Sequence, residues 1–250
     1  MQLRDKVAII TGASSGIGES AALLFAANGA SLVLGARREV ELEALAARIG
    51  RAGGRAVALA GDVKEASYAA ALVDLALAEF GGLDVGFNNA GTVGQVAPIP
   101  KMADADWELT LATNLTSAFH SAKYQVPAMT ARGGGSIIFT SSFVGHTAGI
   151  PGMGAYAASK AGLIGLVQVL AAEHAPAGVR ANALLPGGTL TPMAGTDPGY
   201  LEWARSIHAL KRLAQPEEIA KAALFLASDG SSFVTGTALL ADGGCSIHKV

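Results

Sequence analysis

The chain has 250 residues, 18 of them Lys or Arg and 20 Asp or Glu, for a formal net charge of −2 at pH 7. With 51% hydrophobic and 15% charged residues it is too apolar to stay disordered, and its near-neutral balance argues against a nucleic-acid binder. The one cysteine, Cys245, excludes an intramolecular disulfide and a cysteine-built zinc site.

Only Val7 to Ile10 is apolar before Thr11-Gly12, too short for the apolar core of a secretory signal, which runs to roughly 7–15 residues. The richest longer stretch, Ala161 to Ala172, contains Gln168 and falls short of the about 20 residues that span a membrane. These readings predict a soluble, cytoplasmic protein with neither a membrane nor a nucleic acid as partner.

Along the chain, short apolar runs alternate with longer helical patterns. Val7 to Ile10 leads through a glycine-rich turn into a helix over Ser20 to Asn28. Ser31 to Leu34 precedes Glu39 to Ile49, and Ala56 to Ala60 precedes Glu65 to Phe80. Val85 to Phe87 precedes one long helix over Asp106 to Met129, and Ser136 to Phe139 precedes Gly154 to Ala175. Two further strands, Val179 to Leu185 and Ala238 to Leu240, flank a helix over Glu217 to Ala227. Such alternation demands parallel strands joined by crossovers, with helices on both faces. Continuously apolar strands are what a sheet covered on both faces requires. No linker or repeat interrupts the pattern, which predicts one α/β domain over 1–250 built on a doubly wound parallel sheet.

Glycine accounts for 32 of the 250 residues, well above the average near 7%, and much of the excess sits at strand-to-helix turns. The first such turn reads Thr11-Gly12-Ala13-Ser14-Ser15-Gly16-Ile17-Gly18. Glycines there let the backbone approach a pyrophosphate, and the N–H groups of a helix start face its charge. The spacing G-x-x-x-G-x-G differs from the G-x-G-x-x-G dinucleotide fingerprint.

Taken with Asp62-Val63, Asn88-Asn89-Ala90-Gly91, Asn114, Ser142, Tyr156-x-x-x-Lys160 and Pro186-Gly187 to Thr191, this turn resembles the short-chain dehydrogenase/reductase family over essentially the whole chain. The resemblance implies a Rossmann-type seven-stranded sheet, a nicotinamide cofactor and a homotetramer. It assigns the cofactor to Gly12, Ser14, Ser15, Gly16, Ile17 and Gly18. It gives the adenine to Asp62 and Val63, and the ribose and nicotinamide to Asn89, Ala90 and Gly91, with Asn88 left as a structural brace. The carboxamide falls to Pro186, Gly187, Thr189 and Thr191.

NADP(H) is expected over NAD(H) on charge. An NAD enzyme carries a carboxylate about 20 residues beyond the glycine turn. Here the second strand ends Leu34-Gly35-Ala36-Arg37-Arg38, with Ala36 in the acidic position. A guanidinium from Arg37 or Arg38 would make charge-assisted bonds to a 2′-phosphate that a carboxylate would repel.

Tyr156 and Lys160 lie four apart on a predicted helix and share a face. A phenol ordinarily titrates near 10. The Lys160 ammonium and the positive ring of an oxidised nicotinamide would favour the phenolate and lower that value, making Tyr156 a general acid and base. Lys160 would also hold the ribose hydroxyls, with Tyr156 beside the nicotinamide. By the resemblance, Ser142, read as ending the fifth strand, bonds the substrate oxygen, and Asn114 binds a water that links Lys160 to solvent. The five histidines, His120, His146, His174, His208 and His248, have no metal-ligand spacing, so no metal is expected. His146 reads as a surface residue.

Segments 92–100, 143–153 and 188–210 should border a small-molecule carbonyl or alcohol. Their lining, with Phe143, Ile150, Met153, Tyr200 and Trp203 among it, is apolar with few charges, which suits a ketone or secondary alcohol. Segment 188–210 reads as a lid. Ala161 to Val167 is apolar on every side of its helix, so a second subunit is expected to cover it. A 3-oxoacyl thioester reductase and a non-catalytic dinucleotide-binding module are the alternatives.

Overall fold

In a computed structural model that describes residues 1–248, the apolar runs become strands β1 (Val7–Thr11), β2 (Ser31–Ala36), β3 (Arg55–Ala60), β4 (Val85–Asn88), β5 (Gly135–Thr140), β6 (Val179–Pro186) and β7 (Ala238–Ala241). They pair in the order β3-β2-β1-β4-β5-β6-β7, every pair parallel. The helices are α1 (Gly16–Ala27), α2 (Glu39–Arg51), α3 (Ala66–Phe80), α4 (Asp104–Leu111), α5 (Ser117–Ala131), α6 (Gly154–His174), α7 (Pro198–Ser206) and α8 (Pro216–Ala227).

Because side chains alternate along a strand, the continuous apolar runs serve two cores at once. Ile10, Leu34, Phe87 and Leu184 pack with α1, α2 and α8 on one face. Ile9, Val33, Phe139 and Leu185 pack with α3, α5 and α6 on the other. The strand order turns back between β1 and β4, so the helices leave in opposite directions there and open a crevice at the carboxyl ends. The register puts Thr11 opposite both Gly35 and Asn88, and Asn88 opposite Phe139. The chain therefore delivers the ends of β1, β2, β4 and β5 to one level.

Three expectations need correcting. The long helix read over Asp106 to Met129 is two helices, α4 and α5, joined by a π-helical turn at Ala112–Thr116. It widens around Asn114, whose side chain is drawn out of the helix by the Thr92 backbone, and wide turns of this kind gather at functional places. Ser142 does not end β5, which stops at Thr140. By length and composition one helix, Gly154–Ala177, is apolar enough to cross a membrane, with mean hydropathy 1.4 over its best window. The same helix lays Leu163, Val167, Leu170 and Ala171 against the sheet.

Candidate active site

The turn between β1 and α1 is shaped by its glycines. Gly12 and Gly16 have φ of 67° and 58°, the left-handed region that side chains avoid. A Cβ on Gly18 would stand 2.2 Å from the Gly12 carbonyl oxygen, and one on Gly16 2.9 Å from Thr191 Cγ2. Ser15 stands at the start of α1 without its side chain bonding a helix N–H, so the first-turn N–H groups of the helix keep their direction toward the crevice. A backbone this close, with helix N–H groups unspent on a cap, fits the pyrophosphate of a dinucleotide.

Around that cradle the second expected group assembles. Arg38 reaches back to the turn: its Nη2 donates to Ser14 Oγ and Ser15 Oγ, both at 2.8 Å, and its Nε to Ser14 Oγ at 3.2 Å. Arg37 is exposed at the end of β2. Asp62, after β3, accepts from the Lys64 N–H at 3.0 Å, with Val63 next to it packed on the α3 side of the core. Tyr68 was not foreseen. Its hydroxyl donates to the Leu59 carbonyl at 2.6 Å, its ring fills the space a Cβ on Gly61 would need, and burial pushes its phenol up to about 12. A tyrosine in the first turn of an Ala-rich helix gave no warning of this floor beneath Asp62.

The segment Asn88 to Gly91 is braced more heavily than expected. Asn88 exchanges both amide bonds with Gln125, at 2.9 and 3.0 Å. Thr11 Oγ1 accepts from the N–H groups of Asn89 and Ala90. Asn89, read as a binding residue, is also tied to the fold: its Nδ2 donates to the Thr11 carbonyl at 3.4 Å and its Oδ1 accepts from Thr140 Oγ1 at 3.1 Å. Gly91 is close to both Asn114 Oδ1 and Lys160 Nζ.

Helix α6 carries Tyr156 and Lys160 into the crevice. Lys160 is 4% exposed, its ammonium donates to the Thr140 carbonyl at 2.7 Å, and it lies 5.6 Å from the centre of the Tyr156 ring. Burial lowers its pKa to about 8. The Tyr156 phenol is raised above its ordinary value, first by burial and then by the nearby Tyr200 phenol, against a hydrogen bond with Ser142 that works downward. Burial thus sets the direction among the chain's own groups, whereas the expected lowering drew also on the positive ring of an oxidised nicotinamide. Ser142 Oγ also accepts from the Val144 N–H at 3.1 Å, which fixes the hydroxyl on the Tyr156 side of its loop.

Asn114 is engaged at both amide atoms. Its Oδ1 accepts from the Thr92 N–H at 2.8 Å, and its Nδ2 donates to the Thr92 carbonyl and to Ser159 Oγ at 2.9 and 3.0 Å. Ser159, also unforeseen although it sits inside the Tyr-to-Lys spacing, donates in turn to the Tyr156 carbonyl at 2.7 Å. A water could meet Asn114 at the second lone pair of Oδ1 or at its backbone. A polar cavity of about 10 Å³ lies beside it, lined by Thr11, Asn88, Ser117, Ser121 and Thr140 among others, and that is room for about one water.

Pro186 to Thr191 leaves the end of β6 for the cradle, Thr191 touching the space over Gly16. Beyond it α7 begins at the cap Asp197, whose carboxylate accepts from the Tyr200 N–H at 2.6 Å. Phe143, Val144 and Cys245 form a small apolar cluster with Met153, Tyr156 and Ile207, so the chain's end helps wall the site. His146 is exposed. Among the described residues no group of His, Cys, Asp and Glu could hold a metal ion.

Comparison with known proteins decides what this arrangement belongs to. A family model described as enoyl-(acyl carrier protein) reductase matches residues 12–246. Cyclohexanol dehydrogenase of Acinetobacter sp. (strain SE19) is 39% identical over 247 residues, 97% of this chain and 95% of its own. The chain belongs to the short-chain dehydrogenase/reductase family, and it is an enzyme, an oxidoreductase. A short-chain type dehydrogenase/reductase from Mycobacterium marinum superposes with a TM-score of 0.94 at 34% identity, covering 99% of this chain and 98% of that one. A 7α-hydroxysteroid dehydrogenase complexed with NADH and 7-oxo glycochenodeoxycholic acid gives 0.91 at 35% identity, over 97% and 95%. The Rossmann-type doubly wound sheet is thus the family's own.

Proposed function

We propose that this short-chain dehydrogenase/reductase interconverts an alicyclic secondary alcohol and its ketone with NADP(H). The observation that carries the reading is the convergence of Ser142, Tyr156 and Lys160 beside the glycine cradle. A non-catalytic dinucleotide module would have no use for that acid–base set.

A nicotinamide dinucleotide would supply or accept the hydride when bound, and Gly12 to Gly18 would hold its pyrophosphate and Thr189 and Thr191 its carboxamide. Tyr156 supplies the proton. In reduction its Oη–H gives the proton to the carbonyl oxygen, and in oxidation the phenolate oxygen takes the alcohol proton. Ser142 donates to the same substrate oxygen and orients it. Lys160 stabilises the phenolate through its charge and, bonded to Thr140, keeps its place when the phenol changes state. The raised phenol leaves Tyr156 protonated near neutral pH, the form reduction needs.

Arg38 on the cradle serines and Ala36 in place of an acid support NADP(H). The steroid relative was solved with NADH, and its preference is its own. An apolar wall from Phe143 to Ile207 and a relative named for cyclohexanol support a ring-bearing substrate. We assign 1–250 to one catalytic domain with 188–210 as its lid, a cytoplasmic homotetramer with small-molecule partners only.

Turnover of cyclohexanone, a sugar ketone and a 3-oxoacyl thioester with NADPH and NADH tests the reading. Cyclic ketones with NADPH should lead, and Tyr156→Phe should abolish turnover while cofactor affinity survives. Near-normal turnover in that variant overturns the mechanism. A preference for the acyl thioester moves the substrate to the 3-oxoacyl thioester alternative.

A further inference from the structure

His208 lies two residues beyond α7 and is 2% exposed. Both of its ring nitrogens are bonded. Nδ1 is 2.5 Å from the Ala204 carbonyl oxygen in the lid helix, and Nε2 accepts from the Gly188 N–H at 2.9 Å. A carbonyl can only accept and an amide N–H can only donate, so the partners dictate a neutral ring with its hydrogen on Nδ1. The ring is therefore a two-ended connector between α7 and the strand-end segment that runs to Thr189 and Thr191.

That segment is held from the other side as well. The Gly188 carbonyl accepts from the Ala214 N–H, and the Leu190 N–H donates to the Ala214 carbonyl, both at 2.9 Å. Gly188 thus has its N–H fixed by His208 and its carbonyl by Ala214, which leaves the Thr189 N–H between them with no hydrogen bond among the described residues. Gly187 and Gly188 have no room for larger residues: a Cβ on Gly187 would meet His208 Nε2 at 2.8 Å, and one on Gly188 would meet Leu213 at 2.6 Å. The imidazole is packed tightly against the peptide it bonds.

We propose that His208 is a positioning residue that couples the lid helix to the carboxamide-holding segment, so that α7 and Gly188–Thr191 move as one body. The proposal rests on the reading of Thr189 and Thr191 as cofactor-facing. With the Gly187–Gly188 peptide held by His208 and the Gly188–Thr189 peptide held through its carbonyl by Ala214, the Thr189 N–H is aimed before any ligand arrives. A lid displaced at Ala204 would drag the same peptide out of line.

Three measurements on the full chain test this. The first uses ¹⁵N-histidine labelling of the unliganded wild type, where His208 should show Nδ1 protonated and Nε2 of the bare type at pH 8; the opposite tautomer overturns the proposal. The second compares hydrogen exchange in wild type, His208→Leu and His208→Gln. His208→Leu should speed exchange at 187–191 and at 198–207 together, while His208→Gln, whose side-chain oxygen can still accept from Gly188, should keep 187–191 protected. Faster exchange at one segment alone, or equal exchange in the two variants, overturns it. The third is NADPH affinity by fluorescence. His208→Leu should bind about five- to tenfold more weakly, the loss of about one neutral hydrogen bond, and His208→Gln within about threefold of wild type. A wild type that binds neither NADPH nor NADH refutes the cofactor reading instead, and the exchange arm still decides the coupling. If His208→Leu does not fold, the tautomer and His208→Gln decide it.

Discussion

Lys160 lies over the Tyr156 ring, 5.6 Å from its centre, while its hydrogen bond goes to the Thr140 carbonyl at 2.7 Å. The cation is thus placed by the sheet and lent to the phenol. Its burial, which holds the pKa at about 8, has a stability consequence with a definite sign. An unfolded lysine keeps its proton to about 10.5, so between about 8 and 10.5 the unfolded chain carries a proton the folded one has released. Stability from this group therefore rises with pH across that window, the burial penalty being fully present below it. Relative to Lys160→Met, the wild type should gain roughly 2 kcal/mol between pH 7.5 and 10. Thermal melts of both proteins across this range would read it, and a constant offset would contradict a buried ammonium.

Arg38 sits on both cradle serines, where a 2′-phosphate could compete for the same guanidinium. Arg38→Leu should weaken NADPH about tenfold or more and change NADH little, since charge-assisted bonds to phosphate are the stronger kind. The discrimination should shrink as salt is raised. Titration of both cofactors at two ionic strengths checks it; equal losses for NADPH and NADH would place the phosphate elsewhere.

Tyr200 and Trp203 on α7 lie with ring centroids 5.7 Å apart and planes tilted by 39°, 46% and 41% exposed. They give the lid helix an exposed aromatic surface, suited to packing against a saturated ring. Trp203→Ala should raise KM for cyclohexanone by about tenfold, a plausible loss for one apolar contact surface, and leave a small acyclic ketone nearly unchanged. Steady-state kinetics on the two substrates separates this from a general loss of activity.

Phe119 on α5 and Val169 on α6 are each 53% exposed, and neither helix is covered by the sheet on that side. The all-round apolarity of α6 is thus answered within the chain on one side only. Phe119→Asp with Val169→Asp should yield a smaller species by light scattering at unchanged fold. An unaltered mass would move the subunit contact to another surface.

Much of this was legible in the residues. Strand positions follow from continuous apolar runs, since a sheet covered on both faces leaves no polar alternation to confuse them. Gly12, Gly16 and Gly18 announced the cradle because nothing larger fits. What stayed hidden were contacts made by backbone atoms far apart in the chain: Thr140 receiving Lys160, Thr92 capturing Asn114, Ala204 and Gly188 sharing His208. A carbonyl or N–H is the same at every position, so no residue type marks such a partner. The direction of the Tyr156 shift was missed for a related reason, since burial of both members of a pair is a property of the packed site.

The wide turn at Ala112–Thr116 acts as a phase shifter. Each added residue advances a helix by about 100°, so the extra one lets α4 and α5 face different neighbours while running nearly as one rod. Deleting a single residue there would fuse them into a regular helix and swing Thr110 away from Gly94, which it crowds so closely that no Cβ could fit between them. The rim of the pocket and the helix that packs on the sheet thus keep separate rotational settings through that one insertion.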